Sequence, residues 1–269
     1  MSEMPIGIFD SGLGGISLLR EAVSILPNEN YIFYGDNLHA PYGDKTDDEI
    51  AKLSFDSVNY LVSKGVKAVV LACNTATAAS IRALRDDKRL DLPIISLEPA
   101  IKPACEKPGD GKILMMATLA TTRLKRYKAL QSRMPDPSRV INVPCPGLVE
   151  MVERGTFAPE AYYDILYKLL NKYNGMKIDG IVLGCTHYIF IKSAIERYAK
   201  SNFKGECAFY DGNAATVRQL GRVLEANGLT NLNGNASVEF CTSGDRSKIY
   251  PIFELLMNHK ENQSVKEEN

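Results

Sequence analysis

Short apolar runs alternate with stretches of helical periodicity along almost the whole chain. Ile6-Gly7-Ile8-Phe9 leads through the glycine-rich Asp10-Ser11-Gly12-Leu13-Gly14-Gly15 into an apolar-periodic segment over 17–22. Tyr31-Ile32-Phe33-Tyr34-Gly35-Asp36 is the second run. Beyond the turn-rich segment 37–44, Thr46 and Glu49 have capping-box spacing, and Ile50, Leu53, Val58, Leu61 and Val62 form a stripe that stops near Gly65. Val69-Val70-Leu71-Ala72 ends on Cys73, a helix runs through Ala78, Ile81 and Leu84, and Pro93-Ile94-Ile95-Ser96-Leu97 closes the unit. Brief β-branched runs separated by helical stripes predict buried parallel strands joined by helices.

The segment 98–108 carries three prolines and marks a boundary, after which the pattern restarts. Ile113-Leu114-Met115-Met116-Ala117-Thr118 predicts a strand leading into a basic helix, and 139–143 a strand ending at Pro144-Cys145-Pro146-Gly147. A short helix over 148–153 precedes a longer one opened by Pro159, with Tyr162, Ile165, Leu166, Leu169, Leu170 and Tyr173 on one face. Ile181-Val182-Leu183-Gly184 then ends on Cys185, followed by a helix. Both cysteines follow Val-Leu-x, and the strands at 6–11 and 113–118 recur at a nearly equal offset, which suggests an internal duplication. The expected architecture is α/β: two pseudo-symmetric parallel-sheet domains with a site in the cleft between them. The first would comprise 1–98 plus 208–257 and the second 99–207, with 258–269 a polar tail.

Composition narrows the classes. The 269 residues are 45% hydrophobic and 24% charged with zero formal net charge, an ordinary globular balance with no electrostatic footprint for nucleic acid. No apolar run is long enough to span a membrane, and Met1 to Pro5 lacks a leader's basic and apolar regions, so the cytoplasm is the expected location. The six cysteines include no CxxC pair, and three histidines without an HExxH motif argue against a metal site. No lysine motif points to pyridoxal phosphate. The Asp10–Gly15 turn has the outline of a phosphate cradle but lacks the Walker lysine and full GxGxxG spacing, so a tight βα connection suffices.

The chemistry concentrates at the two cysteines. A thiol at a strand end beside a helix N-terminus has partial positive charge nearby, which favours thiolate, although a lone buried Cys is commonly a small core residue. Paired strand ends open three routes. Cys185 with His187 as base could perform acyl transfer, leaving Cys73 without a role. A redox dithiol would use both, without a resolving arrangement in the sequence. One thiol on each face of a substrate carbon, one as base and one as acid, would invert that carbon.

Phe9-Asp10-Ser11-Gly12-Leu13-Gly14-Gly15, Tyr34-Gly35-Asp36 with Pro41-Tyr42-Gly43, Ala72-Cys73-Asn74-Thr75, and Gly184-Cys185-Thr186-His187-Tyr188 together resemble the cofactor-independent aspartate/glutamate racemase family. The motifs span 6 to about 211, and Gly-Cys-Thr-His is similar to the glutamate-acting branch. The resemblance implies interconversion of L- and D-glutamate by two-cysteine proton transfer, D-glutamate for peptidoglycan, no cofactor, and a homodimer. It implies that Cys73 is the base toward D-glutamate and Cys185 toward L-glutamate, helped by Asp10 and His187 respectively. It places Asp10, Ser11, Tyr42, Gly43, Asn74, Thr75, Thr118, Thr121, Thr186 and His187 around the substrate.

Some residues depart from the pattern. Where the family often reads Pro-Leu-Val-Glu, this chain has Glu150-Met151-Val152-Glu153; aligning on Cys145-Pro146 and Gly155 puts the functional glutamate at Glu153. His39 stands where Arg is frequent and carries no assigned role. A racemase of aspartate or another amino acid, or a scaffold retained for binding or regulation, are the rival readings.

Overall fold

The computed structural model describes residues 2–258; positions 259–269 of the expected polar tail lie outside them. Among the described residues, nine strands form two sheets: β1 (Ile6–Asp10), β2 (Tyr31–Gly35), β3 (Ala68–Leu71), β4 (Ile94–Ser96), β5 (Lys112–Ala117), β6 (Val140–Pro144), β7 (Ile178–Leu183), β8 (Ala208–Tyr210) and β9 (Val238–Thr242). The first sheet has the order β4-β3-β1-β2-β9 and the second β6-β5-β7-β8. All pairings are parallel. Every residue of β1 and β3 is buried, as expected where helices cover both faces of a parallel sheet.

The duplication is visible in the topology. Matching β1, β2, β3 and β4 to β5, β6, β7 and β8 gives the same order in each sheet, and β9 is an addition to the first. This corrects the expected boundary: 208–210 pair with β7 in the second sheet, as the counterpart of β4. The chain returns to the first unit only afterwards, through the helix Asn213–Ala226.

Local signals set most helix limits. Thr46 and Glu49 form the full capping box of helix Asp47–Ser63, and Gly65 follows its end at φ 76°. The proline-rich boundary contains its own short helix, Ile101–Glu106. The long helix expected from Pro159 is divided into a 3-10 turn Pro159–Tyr162, an α-helix Tyr163–Leu170 and a 3-10 turn Asn171–Tyr173. Tyr162, Leu166, Leu170 and Tyr173 still share the buried face, so burial there tolerates the change of helix type.

One apolar cluster crosses both units, joining Ile8, Ile16 and Leu18 to Leu183, Tyr188 and Ile191. It fixes the helix Ile16–Ile25 against the turn that follows Cys185. The units also meet through the Thr75, Thr118 and Thr121 hydroxyls, through Glu153 with Leu13 and Asn37, and through an Arg123–Asp47 ion pair. The cleft lies at the C-terminal strand ends, where open α/β sheets place their ligands.

Candidate active site

Ser11, Tyr42, Gly43, Cys73, Asn74, Thr75, Thr118, Cys185, Thr186 and His187 line one narrow cavity between the units. The structure thus gathers both cysteines and most of the expected substrate shell. Thr121 lies one bond away: Thr75 Oγ1 is 2.9 Å from Thr118 Oγ1 and 3.0 Å from Thr121 Oγ1, a contact across the units. Asp10 and Glu153 lie behind the lining, bonded to Thr186 and His187 respectively. Pro41 and Val149 complete the wall, and both border a second chamber that ends at Cys145 and Glu150. Val149 was hidden from sequence reasoning because its place in an apolar helical segment looks like core.

The two cysteines have different surroundings. Cys73 is the N-cap of the α-helix Asn74–Asp86: its Sγ accepts the Ala76 N–H at 3.4 Å and lies 3.3 Å from Ser11 Oγ. The helix end favours a thiolate, but burial outweighs it, and with the nearby Asp10 carboxylate pushes the thiol up to about 12. The thiolate expected from the helix terminus alone is therefore corrected. Desolvation acts on the whole charge, whereas the helix terminus offers a fraction of one.

Cys185 precedes a 3-10 helix, Thr186–Ile191, instead of the expected α-helix, and its side chain caps nothing. Its Sγ lies 3.5 Å from His187 Nδ1, and His187 Nε2 lies 2.6 Å from Glu153 Oε1. Burial would lower the His187 pKa; the hydrogen bond and charge of Cys185, then those of Glu153, outweigh burial and hold it well above the usual range. A carboxylate orienting an imidazole that faces a thiol is the general arrangement of an activated nucleophile or base.

Glu153 is also held from the other unit. The Leu13 N–H donates to its Oε1 at 2.7 Å and Asn37 Nδ2 to its Oε2 at 3.2 Å. The glycine-rich turn explains how the units come so close. A Cβ at Gly12 would land on the Glu153 carboxylate, and one at Gly14 on His187 Nδ1 and Thr186 Oγ1. The turn admits side chains of the opposite unit to its backbone.

Asp10 is completely buried. Its Oδ2 accepts the Gly12 N–H at 2.9 Å, and Thr186 Oγ1 donates to its Oδ1 at 3.2 Å. Burial raises its pKa, against the opposing charge of His187. Among the described residues no group of three or more His, Cys, Asp or Glu side chains could hold a metal ion, and no helix is long and apolar enough to cross a membrane. His39 bonds Asp36, not the cleft, its Nδ1 2.8 Å from Asp36 Oδ1.

The fold and site thus define a two-unit α/β protein with thiol, imidazole and carboxyl groups converging from both sides on one cleft. The profile of the Asp/Glu/hydantoin racemase family matches residues 16–220. The glutamate racemase of Clostridium perfringens (strain SM101 / Type A) is 43% identical over 262 residues, covering 97% of this chain and 98% of the relative. Among solved structures, glutamate racemase from Thermus thermophilus in complex with β-chloro-D-alanine has a TM-score of 0.80 at 30% identity, covering 96% of this chain and 94% of that one. The enzyme from Francisella tularensis subsp. tularensis SCHU S4 in complex with D-glutamate has a TM-score of 0.81 at 26% identity, covering 97% and 96%. The chain belongs to the Asp/Glu/hydantoin racemase family, in its glutamate racemase branch, and is an amino-acid racemase, an isomerase.

Proposed function

We propose that the protein interconverts L- and D-glutamate by moving the Cα proton between two thiols. The carrying observation is that Cys73 and Cys185, at equivalent strand ends of duplicated units, line the same cavity. Toward L-glutamate, Cys185 as thiolate takes the Cα proton while protonated His187, steadied by Glu153, balances its charge. The electron pair left on carbon is shared with the substrate's α-carboxylate, and the Cys73 thiol returns a proton to the opposite face. The reverse direction exchanges the two roles. A high pKa suits Cys73 to the acid half of the cycle and makes its thiolate the stronger base in the other half.

Asp10 acts as proton handler or contact for the substrate ammonium, through Thr186. Ser11, Tyr42, Gly43, Asn74, Thr75, Thr118, Thr121 and Thr186 supply hydroxyl, amide and backbone groups for the two carboxylates. The same reading carries supply of D-glutamate for peptidoglycan, a cytoplasmic location and a homodimer, the last measurable by sedimentation. The chemistry is tested by incubating the enzyme with L-glutamate or L-aspartate in deuterated water. Deuterium should enter Cα of glutamate and leave aspartate unlabelled. Label in aspartate alone overturns the substrate assignment, and label in neither overturns proton transfer.

A further inference from the structure

We infer that Ser17 and Asn213, which line no part of the cavity, are positioning residues for the turn carrying Cys185, Thr186 and His187. The inference rests on the two-thiol reading of that site. Ser17 lies on the helix Ile16–Ile25 of the first unit and is buried, 6% exposed. Its Oγ is a donor to the Gly14 carbonyl at 2.9 Å and to the Thr186 carbonyl, across the interface, at 3.3 Å. Asn213, 5% exposed, donates from Nδ2 to the same Oγ at 3.1 Å. A hydroxyl has one proton. The Asn213 donor occupies the acceptor side of the Ser17 oxygen, so that proton is directed to the two carbonyls.

The placement of Asn213 gives this chain of bonds its consequence. It is the first residue of the helix Asn213–Ala226, where the chain re-enters the first unit, and its N–H donates to Asp211 Oδ1 at 3.0 Å. Beside it, a Cβ on Gly212 would meet the Glu98 carbonyl at 2.7 Å, so the outgoing and returning crossovers touch there. One buried path therefore runs from the paired crossovers through Asn213 and Ser17 to Thr186. Thr186 donates to Asp10 and adjoins both Cys185 and His187. The Asn213 Nδ2 faces Ser17, and its buried Oδ1 has no hydrogen-bond partner. Among the described residues no hydroxyl of the other unit donates to a backbone carbonyl of the Cys73 turn, whose sulfur is held by its own helix and by Ser11.

Loss of the Ser17 hydroxyl should therefore slow proton removal at the Cys185 face selectively. For Ser17→Ala, kcat should fall roughly 3- to 10-fold, the effect of one hydrogen bond. The primary isotope effect should rise with Cα-deuterated L-glutamate and stay unchanged with the D enantiomer. Asn213→Ala should shift the same isotope effect in the same direction, and Ser17→Thr, which keeps the hydroxyl, should restore it. A thermal unfolding scan identifies any variant that fails to fold, in which case Ser17→Thr and Asn213→Asp carry the comparison, with Asn213→Asp behaving as Asn213→Ala. Equal isotope effects for both enantiomers in a folded Ser17→Ala enzyme would overturn the inference. Cys185→Ala serves as the control. If it retains exchange on L-glutamate, the two-thiol reading fails; if it loses exchange while Ser17→Ala remains symmetric, the positioning role alone fails.

Discussion

The two units repeat one strand order but surround their cysteines differently. In the first, Cys73 caps an α-helix, bonds Ser11 and lies near a buried carboxylate, which favours the protonated thiol. In the second, Cys185 precedes a 3-10 turn and faces an imidazole bonded to Glu153, neighbours that hold the His187 pKa well above its usual range. Duplication brings two thiols to one cavity. On the proposed mechanism, the divergence of their neighbours fits Cys73 to the acid role when L-glutamate is the substrate, and the roles exchange for D-glutamate.

Replacing the thiols tests the comparison most severely. Cys73→Ser and Cys185→Ser should each lower kcat by about 10³-fold or more, the scale of a lost acid–base group. The equilibrium between enantiomers ties kcat/KM in the two directions together, so the informative readout is the primary deuterium isotope effect on each enantiomer. Cys185→Ser should raise it for L-glutamate and Cys73→Ser for D-glutamate; identical changes would break the assignment of one thiol per face. Next comes Gly14→Ala, whose methyl occupies the place of His187 Nδ1 and Thr186 Oγ1. Displacing the Cys185 partner while sparing Cys73 should cost about 10²-fold in kcat, and steady-state kinetics on the folded variant checks it.

The smallest of these effects belongs to Glu153→Gln. Removing the carboxylate takes away one cause that raises the His187 pKa. A function that needs the imidazolium declines as pH rises through that pKa, so the alkaline limb of the kcat profile should move to lower pH. At neutral pH the loss should be about tenfold, as for a hydrogen bond between charged groups. An unchanged alkaline limb would separate Glu153 from the His187 side of the comparison.

Much of this organisation is written locally. Apolar runs broken by helical stripes specified parallel strands, and the repeated Val-Leu-x-Cys announced two equivalent strand ends. Thr46 and Glu49 marked a helix start because a capping box is satisfied within four residues. The Glu150-Met151-Val152-Glu153 run was harder to place, since two glutamates compete for the family's position. The fold separates them: Glu153 reaches His187, whereas Glu150 Oε2 is buried without a partner beside the neighbouring chamber.

The sequence by itself determined the α/β alternation, the duplication and the pairing of Cys73 with Cys185, because periodicity and local motifs act over a few residues. Only the tertiary structure decided that β8 completes the second sheet, that the glycine-rich turn accommodates Glu153 and His187, and that Ser17 bonds the Thr186 carbonyl. It also decided that burial and Asp10 raise the Cys73 pKa. Desolvation and cross-unit contacts depend on groups brought together from distant parts of the chain, and neither is fixed until both units have packed around their common cleft.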